Sequence, residues 1–352
     1  MRNKTAVAGL VIIIFCFLIS LLGYIITPDK TANANRMMLS IANKKPMFSC
    51  KVMEVPTTNS NQSKNKIHEL LFGKSITDEL IAIKDFEVDQ VNGMVVVTEY
   101  TDADDTTRIS RAFPLSIWNS ANKQVQARHY TFVFGTDRFG RDMLSRLILG
   151  ARVSMAVGLI AVIISLVIGL LLGSIAGYFG GRVDAVISWF INVVWSIPTL
   201  LIVIALSLAI GKGFWQVFVA VGLTMWVDVA RMVRGQVLSV REKEFVEACR
   251  AMGFSNTRII LRHILPNISA PLIVITCANF ASAILLEAGL SFLGFGVQPP
   301  VPSWGMMIKE HYGYIVLNKP HLALIPGFAI ALLVIAFNMV GSGLRDAWDV
   351  KE

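Results

Sequence analysis

Residues 153–178 read VSMAVGLIAVIISLVIGLLLGSIAGY, a run without a single charged side chain. The hydrocarbon core of a bilayer is about 30 Å thick and takes about 20 apolar helical residues to cross, so this run predicts a transmembrane helix. The composition of the whole chain agrees, because 54% of its 352 residues are hydrophobic and 16% are charged, against about 25% charged residues in soluble domains. The sequence is therefore typical of an integral membrane protein.

Six stretches in all reach or approach the length of a membrane span. We expect spans near Ala6–Ile26, Val153–Tyr178, Val183–Ile210, Phe214–Val233, Ile268–Phe292 and His321–Val340. Pro198 is expected to kink the third span, since an interior proline removes a backbone hydrogen bond. The first stretch exceeds the apolar core of a secretory signal and is interpreted as a retained anchor. The triplet Ala32-Asn33-Ala34 leaves cleavage open as the alternative.

A long polar region separates the first two spans. The predicted organisation is an N-terminal anchor (1–26), an inserted mixed α/β domain (27–130) and an all-α core (131–352) with five more spans. Asn92-Gly93 lies between two β-type runs and predicts a hairpin with a type I′ turn. Helices are expected at Lys66–Phe72 and Thr77–Ile83. The Asn-, Ser- and Lys-rich stretch Thr31–Lys66 is expected to be largely unstructured.

The positions of Lys and Arg in short loops predict the orientation of the spans. Arg2 and Lys4 precede the first span, and the loop between the fourth and fifth is strongly basic: Arg231, Arg234, Arg241, Lys243, Arg250, Arg258 and Arg262. With six spans both regions lie on one side, which is predicted to be the cytoplasm, together with the C-terminus. The 27–130 domain is then extracytoplasmic. Basic residues beside apolar runs also account for the net charge of +8 without nucleic-acid binding, which requires a basic face on a soluble domain.

The loop Ser239–Pro266 has the most specific pattern in the chain. Ser239 and Glu242 have the spacing of a capping box, which predicts that a helix begins there. An apolar face is expected at i, i+3, i+4 and i+7, Gly253 is expected to end this helix in a left-handed conformation, and Ser255 is expected to cap a second helix. The residues of the predicted apolar face are Phe245, Ala248, Cys249 and Met252, and Phe254 and Ile259 are placed to pack on each other.

The segment Glu247-Ala248-Cys249-Arg250-Ala251-Met252-Gly253 resembles the E-A-A-x-x-x-G signature of binding-protein-dependent ABC transporter permeases. The resemblance implies that this loop forms a coupling helix that docks on an ATPase subunit. Glu247 would supply polar contact, Ala248 close approach and Gly253 the turn between helices. The candidate coupling residues are Glu244, Glu247, Ala248, Cys249, Arg250, Gly253, Arg258 and Pro266.

Three further segments resemble the OppC/DppC-type branch of that family. They are Arg262–Asn267 (RHILPN), Phe134–Asp142 (FGTDRFGRD) with its continuation to Arg152, and the stretch from Glu287 through LSFLGFG to Pro302-Ser303-Trp304-Gly305. Leu144, Leu147 and Ile148 are expected to form the apolar face of an interfacial helix, opposite Arg141, Ser145 and Arg146. The resemblance covers residue 130 to about 348 and the first span. Typical relatives have a much shorter loop in place of residues 27–128.

The resemblance implies a permease of the type I ABC importer fold in a bacterial inner membrane. It also implies a homologous second permease of the OppB/DppB type, two ATPase subunits, an extracytoplasmic solute-binding protein, surrounding lipid and peptide substrates. Gly73-Lys74-Ser75 has His68 where a phosphate-binding loop needs glycine, so ATP and Mg²⁺ are expected on the ATPase subunits and no cofactor, metal or catalytic residue on this chain. The open alternatives are an ion-coupled secondary transporter or channel subunit, and an importer of nickel or another small solute.

A few polar residues lie inside the expected spans. Asn192, Ser196, Asn279 and Ser282 are interpreted as hydrogen-bonding contacts between helices. Glu287 is a functional candidate because a carboxylate in a span is costly unless it is paired or faces water, although a structural role is preferred. Asp228 and Asp184 are expected near span ends, which argues against proton or sodium coupling.

Overall fold

The computed structural model describes residues 4–57, 66–75, 78–102, 109–121, 123–211 and 214–349. The described helices are α1 (Lys4–Ile26), α2 (Lys66–Phe72), α3 (Ser116–Ser120), α4 (Met143–Phe179), α5 (Gly181–Trp195), α6 (Thr199–Ile210), α7 (Phe214–Arg241), α8 (Glu244–Ala251), α9 (Asn256–Ile259), α10 (Leu265–Asn267), α11 (Ser269–Leu293), α12 (Trp304–His311) and α13 (His321–Asp349). The strands are β1 (Phe48–Pro56), β2 (Asp78–Asp89), β3 (Met94–Glu99), β4 (Ser110–Pro114) and β5 (Ala127–Phe132).

The chain divides into two compact units. One contains Met1–Leu18, Val153–Gln298 and Gly327–Glu352, and the other contains Ile19–Arg152 and Pro299–Pro326. The second unit is larger than the 27–130 domain expected from the sequence, and residue 130 falls inside β5. The long helix α4 belongs to both units.

Five of the described helices are long and apolar enough to cross a membrane: α1, α4, α7, α11 and α13. The expected third span is instead the pair α5 and α6, which meet at 89°. The break falls at residues 196–198, where Pro198 lacks a backbone N–H and disfavours the helical conformation of the residue before it. The expected kink is therefore confirmed as a break, and the described residues contain five candidate spans, or six if the bent pair is one span.

Glycines bring α4 and α7 into close contact. Gly169, Gly173 and Gly177 recur every four residues and therefore lie on one face of α4. A Cβ at Gly173 would lie 2.5 Å from the Ala230 carbonyl oxygen, and one at Gly169 would lie 2.5 Å from the Val229 Cβ. Because glycine has no side chain, the backbones of α4 and α7 approach closely. Close approach of this kind lets helices associate in lipid without a hydrophobic driving force.

A five-stranded antiparallel sheet lies in the second unit, with the strand order β4-β3-β2-β1-β5. The strand β1 lies within Thr31–Lys66, so the expectation of a largely unstructured stretch is wrong there. Its side chains pack on both faces of the sheet: Met53 and Val55 belong to one hydrophobic cluster with Trp118 of α3, and Cys50 and Val52 belong to a separate cluster with Phe132. Burial on both sides makes this strand part of the core despite its polar flanks.

The predicted hairpin forms, with a different turn. The strands β2 and β3 pair from Ile83 to Asp89, but of Asn92-Gly93 only Gly93 has a positive φ, 63°. The Asp89 carboxylate accepts hydrogen bonds from the backbone N–H of Val91 and of Asn92, each at 3.0 Å, and so holds a longer loop. The helix expected at Lys66–Phe72 is confirmed as α2.

The helix expected at Thr77–Ile83 is wrong from Asp78 onward, where β2 lies, and Thr77 lies outside the described residues. Consecutive buried residues Ile81, Ala82 and Ile83 pack on opposite faces of the sheet. An uninterrupted apolar run of this kind does not distinguish a buried strand from a helix.

Gly173→Ala is expected to destabilise the protein by about 1–3 kcal/mol, because the added methyl would overlap the Ala230 carbonyl oxygen. The matched control is Gly289→Ala in α11, where a Cβ meets nothing within 4 Å among the described residues. Since alanine favours helix over glycine, the control is expected to be neutral or slightly stabilising. Thermal unfolding of the two purified variants in detergent compares them, and equal melting temperatures would contradict the close α4–α7 contact.

Candidate functional site

In the coupling segment, residues 239–266, the first helix begins later than the sequence predicts. The helix α7 runs through Ser239 to Arg241, so the expected capping box is not formed, and α8 begins at Glu244 with Lys243 as its N-cap. Arg241 explains the extension, because its guanidinium donates hydrogen bonds to the carbonyl oxygens of Gly177 and Tyr178 at 3.3 and 3.1 Å. A cation at the end of α4 satisfies free carbonyls and complements the helix dipole.

The helix α8 buries a different face from the one predicted. Val246 and Cys249 are buried in a cluster with Val237, Ile259 and other apolar residues, whereas Ala248 is exposed and Met252 is 62% exposed. The predicted apolar face, which included Ala248 and Met252, is therefore only partly correct, because Val246 replaces them. The remaining candidates on this helix and turn are also exposed: Glu244, Glu247, Arg250 and Gly253.

The predicted turn between helices is present at Gly253, which has a φ of 75°. The N–H of Phe254 donates to the Cys249 carbonyl oxygen at 3.1 Å. This bond closes a helix that is followed by a left-handed residue, here Gly253. Ser255 has the extended conformation of an N-cap, although its side chain makes no capping hydrogen bond. Phe254 and Ile259 pack in the same cluster, as expected.

The second half of the segment is a stack of aromatic and cationic groups. The Arg258 guanidinium lies 4.2 Å from the centre of the Phe254 ring, and the His263 ring stacks on the same phenyl ring at 5.8 Å. Residues Ile260–Ile264 form a π-helical turn before α10, where Pro266 is exposed. Arg258 is therefore held by an aromatic ring within the chain, while its other side remains exposed.

The segment is tied to the end of α4 by residues that the sequence pattern does not reveal. The Tyr178 hydroxyl donates to the Asn256 Oδ1 at 2.9 Å, and the Arg250 guanidinium lies 5.3 Å from the Tyr178 ring centre. Together with Arg241, these contacts fix both short helices against α4. Tyr178 is far from the segment in sequence, so only the packing identifies it.

The structure does not bring the polar residues of the spans together at one site. Asn192, Ser196 and Ser282 are exposed, and the Asn192 Oδ1 accepts a hydrogen bond from Arg231 at 3.4 Å. Asn279 is buried, and its Nδ2 has no partner among the described residues. The Ser196 hydroxyl donates to the Val193 carbonyl oxygen within its own helix.

Glu287 lies inside the helix packing. It is fully buried in α11, where its Oε1 accepts a hydrogen bond from the Ser291 hydroxyl at 2.7 Å. The Ser154 hydroxyl of α4 approaches the other carboxylate oxygen at 3.5 Å. Hydroxyl donors on two helices make this carboxylate a contact between α4 and α11, which supports the structural interpretation.

The Phe134–Asp142 motif with its continuation to Arg152 contacts α12, which begins inside the Glu287–Gly305 motif, through a buried ionic network in the second unit. Arg141 forms ion pairs with Asp137 and, at 3.0 Å, with Glu310 of α12, and Arg146 lies 3.7 Å from both carboxylates. The Trp304 indole also donates to the Leu147 carbonyl oxygen at 2.9 Å. The expected helix face is therefore reversed, because Arg146 and Ser145 are buried while Leu144, Leu147 and Ile148 are half exposed.

A metal ion does not fit this network well. Ligand atoms of Asp137, Glu310 and His311 lie within 4.8 Å of one another, but both carboxylates are already paired with arginines whose positive charge opposes a cation. Burial lowers the pKa of His311, so its ring is held neutral, and its Nδ1 lies 2.7 Å from the Met307 carbonyl oxygen. We interpret the cluster as an ionic contact between α12 and the start of α4.

Glu310→Gln is expected to destabilise the protein by about 3 kcal/mol, because it leaves the two buried arginines, Arg141 and Arg146, with a single carboxylate, that of Asp137. Glu87→Gln, an exposed position in the same unit, is the matched control and is expected to change stability by less than about 0.5 kcal/mol. Melting temperatures of the two variants in detergent measure the difference. A Glu310→Gln variant as stable as the control would show that the network contributes little.

Comparisons with known proteins show which family the chain belongs to. Residues 169–351 match the family described as binding-protein-dependent transport system inner membrane component, and residues 1–46 match the N-terminal TM domain of oligopeptide transport permease C. The chain belongs to the family of binding-protein-dependent transport permeases. The resemblance stated from the sequence motifs is thereby confirmed.

Several permeases from bacteria are similar to this one. The dipeptide transport system permease protein DppC of Alkalihalophilus pseudofirmus is 44% identical over 218 residues, which are 62% of this chain and 71% of that protein. The oligopeptide transport system permease protein OppC of Escherichia coli K12 is 42% identical over 233 residues, 66% of this chain and 76% of that protein. The glutathione transport system permease protein GsiD of Escherichia coli O6:K15:H31 is 40% identical over 234 residues, with the same shares.

Among solved structures, the inward-facing MetNI methionine ABC transporter is similar to this permease with 20% sequence identity and a TM-score of 0.47. The match covers 57% of this chain and 97% of that chain.

Proposed function

We propose that this permease is one of two membrane-spanning subunits of an ATP-driven importer of dipeptides or oligopeptides. Relatives at 40–44% identity are named as dipeptide, oligopeptide and glutathione permeases, which supports a peptide-like solute. The partners would be a homologous permease, two ATPase subunits that bind ATP and Mg²⁺, and an extracytoplasmic solute-binding protein. The fold would be that of a type I importer in the inner membrane, with both termini in the cytoplasm and the sheet-bearing unit outside.

The exposed surface of α8 is the observation that carries this proposal. Glu244, Glu247 and Ala248 are exposed, while Val246 and Cys249 anchor the helix in the apolar cluster of α4, α7 and the coupling segment. A short helix with a rigid inner face and a polar, small-residue outer face suits close approach by another protein. The 62% exposure of Met252 adds an apolar contact beside that face, and methionine adapts well to a binding surface.

The contacts at the end of α4 explain how movement of an ATPase would reach the membrane. Arg241, Tyr178 and Asn256 link α7, α4 and α9 at one point. When ATP binding closes the two ATPase subunits, a displacement of α8 would be transmitted to α4 and α7 together. The pathway would open towards the binding protein, and hydrolysis would return it to the resting state.

The Ala248→Arg variant is expected to lose most ATP-dependent peptide uptake, because a large charged side chain on the exposed face blocks close approach of the ATPase. The variant is expected to fold, since position 248 is exposed in this chain. Uptake of a labelled dipeptide into proteoliposomes that contain the complete transporter measures the effect. Ala121→Arg, at an exposed alanine of the other unit, is the control and should transport normally.

Co-purification of the ATPase subunits with the Ala248→Arg permease shows whether the ATPase still binds. If it does not co-purify, binding is lost; if it does, the coupling of its movement to the permease is lost. Full uptake by this variant, or uptake by the wild type without any ATPase, would contradict the proposed coupling and would favour an ion-coupled carrier.

A further inference from the structure

One face of α7 changes character halfway along the helix. From Val217 to Val227 every residue is buried or half buried, whereas beyond that point the exposed residues are all polar or small. These residues are Asp228, Arg231, Gly235, Gln236 and Ser239. Most of them recur at intervals of three or four residues and therefore form one stripe, which we call the polar stripe. It leads from Asp228 to the end of α7 that continues into α8.

Contacts with α4 give the depth of the polar stripe. A Cβ on Gly222 would meet Ile164, and a Cβ on Gly169 would meet Val229, so Asp228 lies between the levels of Ile164 and Gly169 of α4 and closer to that of Gly169. These residues are near the middle of the charge-free run 153–178. Because α7 continues to Arg241, Asp228 lies at the middle of this helix and not close to its end. Arg231 lies about 4.5 Å closer to α8.

A charged side chain at this depth is costly in lipid, and is expected to face water or an opposite charge. Arg234 is satisfied within the chain, because its guanidinium forms a bidentate ion pair with Asp184 of α5, with one contact at 2.7 Å. The Asp228 carboxylate has no hydrogen bond or ion pair among the described residues. Arg231 makes a 3.4 Å hydrogen bond to Asn192, lies 3.9 Å from the Trp195 ring centre and is otherwise exposed.

We propose that the polar stripe, with Asn192 and Ser196 of α5, lines a water-filled vestibule of the solute pathway, and that Arg231 binds the carboxylate of a passing peptide there. Burial and charge support the vestibule, whereas the identity of the solute rests on the proposed function. A peptide carries one carboxylate and one ammonium group at its ends. Arg231 and Asp228, one turn apart, complement both.

A second permease seated on the polar stripe is the competing occupant. Helix contacts within lipid are built mainly from small and apolar residues, whereas this stripe presents two charges and an amide. It also continues without an exposed large apolar residue to the end of α7. A continuous polar surface that reaches a helix end fits water better than it fits a helix contact.

Cysteine accessibility in the assembled transporter tests the vestibule, on a background in which the four native cysteines are replaced. Asp228→Cys and Gly235→Cys are expected to react with charged thiosulfonate reagents supplied on both sides of the membrane. Leu171→Cys on α4, where the leucine is 60% exposed in the charge-free run, should not react. If positions 228 and 235 were unreactive in a complex that transports, the vestibule would be excluded and a protein contact would replace it.

The charge of Arg231 has its own readout. Positions 231 and 235 are one turn apart, with Cβ atoms about 6 Å from each other. A unit charge at that distance acts with opposite sign on anionic and cationic reagents, so their rate ratio at Gly235→Cys should fall roughly three- to tenfold when Arg231→Gln is added. Arg182→Gln, at an exposed residue of α5, is the control and should leave the ratio unchanged. An unchanged ratio with Arg231→Gln would contradict the claim that the Arg231 guanidinium is exposed to water beside position 235.

Uptake of a dipeptide and of its C-terminal amide tests the carboxylate contact. Any preference of the binding protein for the free acid or the amide is the same with Arg231→Gln as with the wild type, so it cancels when the two are compared. The ratio of free acid to amide uptake should fall several-fold in Arg231→Gln and be retained in Arg231→Lys. Equal ratios in all three would overturn the contact. A wild type without ATP-dependent uptake would overturn the proposed function instead, and the labelling results would still decide on the vestibule.

Discussion

The close contact between α4 and α7 is the constraint on which the rest of the functional arrangement depends. Three glycines of α4 allow the backbone of α7 to approach until a single methyl group would overlap it at 2.5 Å. This contact fixes the depth and rotation of α7. As a result, one face of α7 packs on α4, and Asp228 and Arg231 lie on another face, where they are exposed. The same helix ends at Arg241, whose bonds to the carbonyl oxygens of α4 set the starting point of α8.

The family signatures and the spans could be predicted from the sequence, because both depend on local patterns. Continuous apolar runs identify membrane helices without knowledge of their packing, and Gly253 marks its turn because few other residues accept a φ of 75°. The spacing Gly169, Gly173 and Gly177 was also a readable signal for close helix contact. The spacing does not tell which helix packs on the glycines, so their contact with α7 is known only from the structure.

The errors have a common physical cause, which is that local patterns do not reveal what covers a residue. The predicted capping box at Ser239 fails because α4 supplies carbonyl groups that extend α7. The apolar face predicted before α4 is reversed because Arg146 and Ser145 find buried partners, while its leucines are left half exposed. The segment around Phe48–Pro56 has polar flanks, yet neighbours on both faces of the sheet bury it. In each case, the deciding partner lies far away in sequence.

The proposed coupling depends most directly on the binding of an ATPase subunit to the exposed face of α8 and its turn. A photo-crosslinking side chain at Met252 of the assembled transporter tests this contact without altering the buried face of the helix. If the ATPase subunit binds there, we expect an adduct with it from Met252, and none from the same probe at Leu39, which is 70% exposed in the other unit. A complex that hydrolyses ATP but gives no ATPase adduct from position 252, or gives equal adducts from both positions, would contradict it.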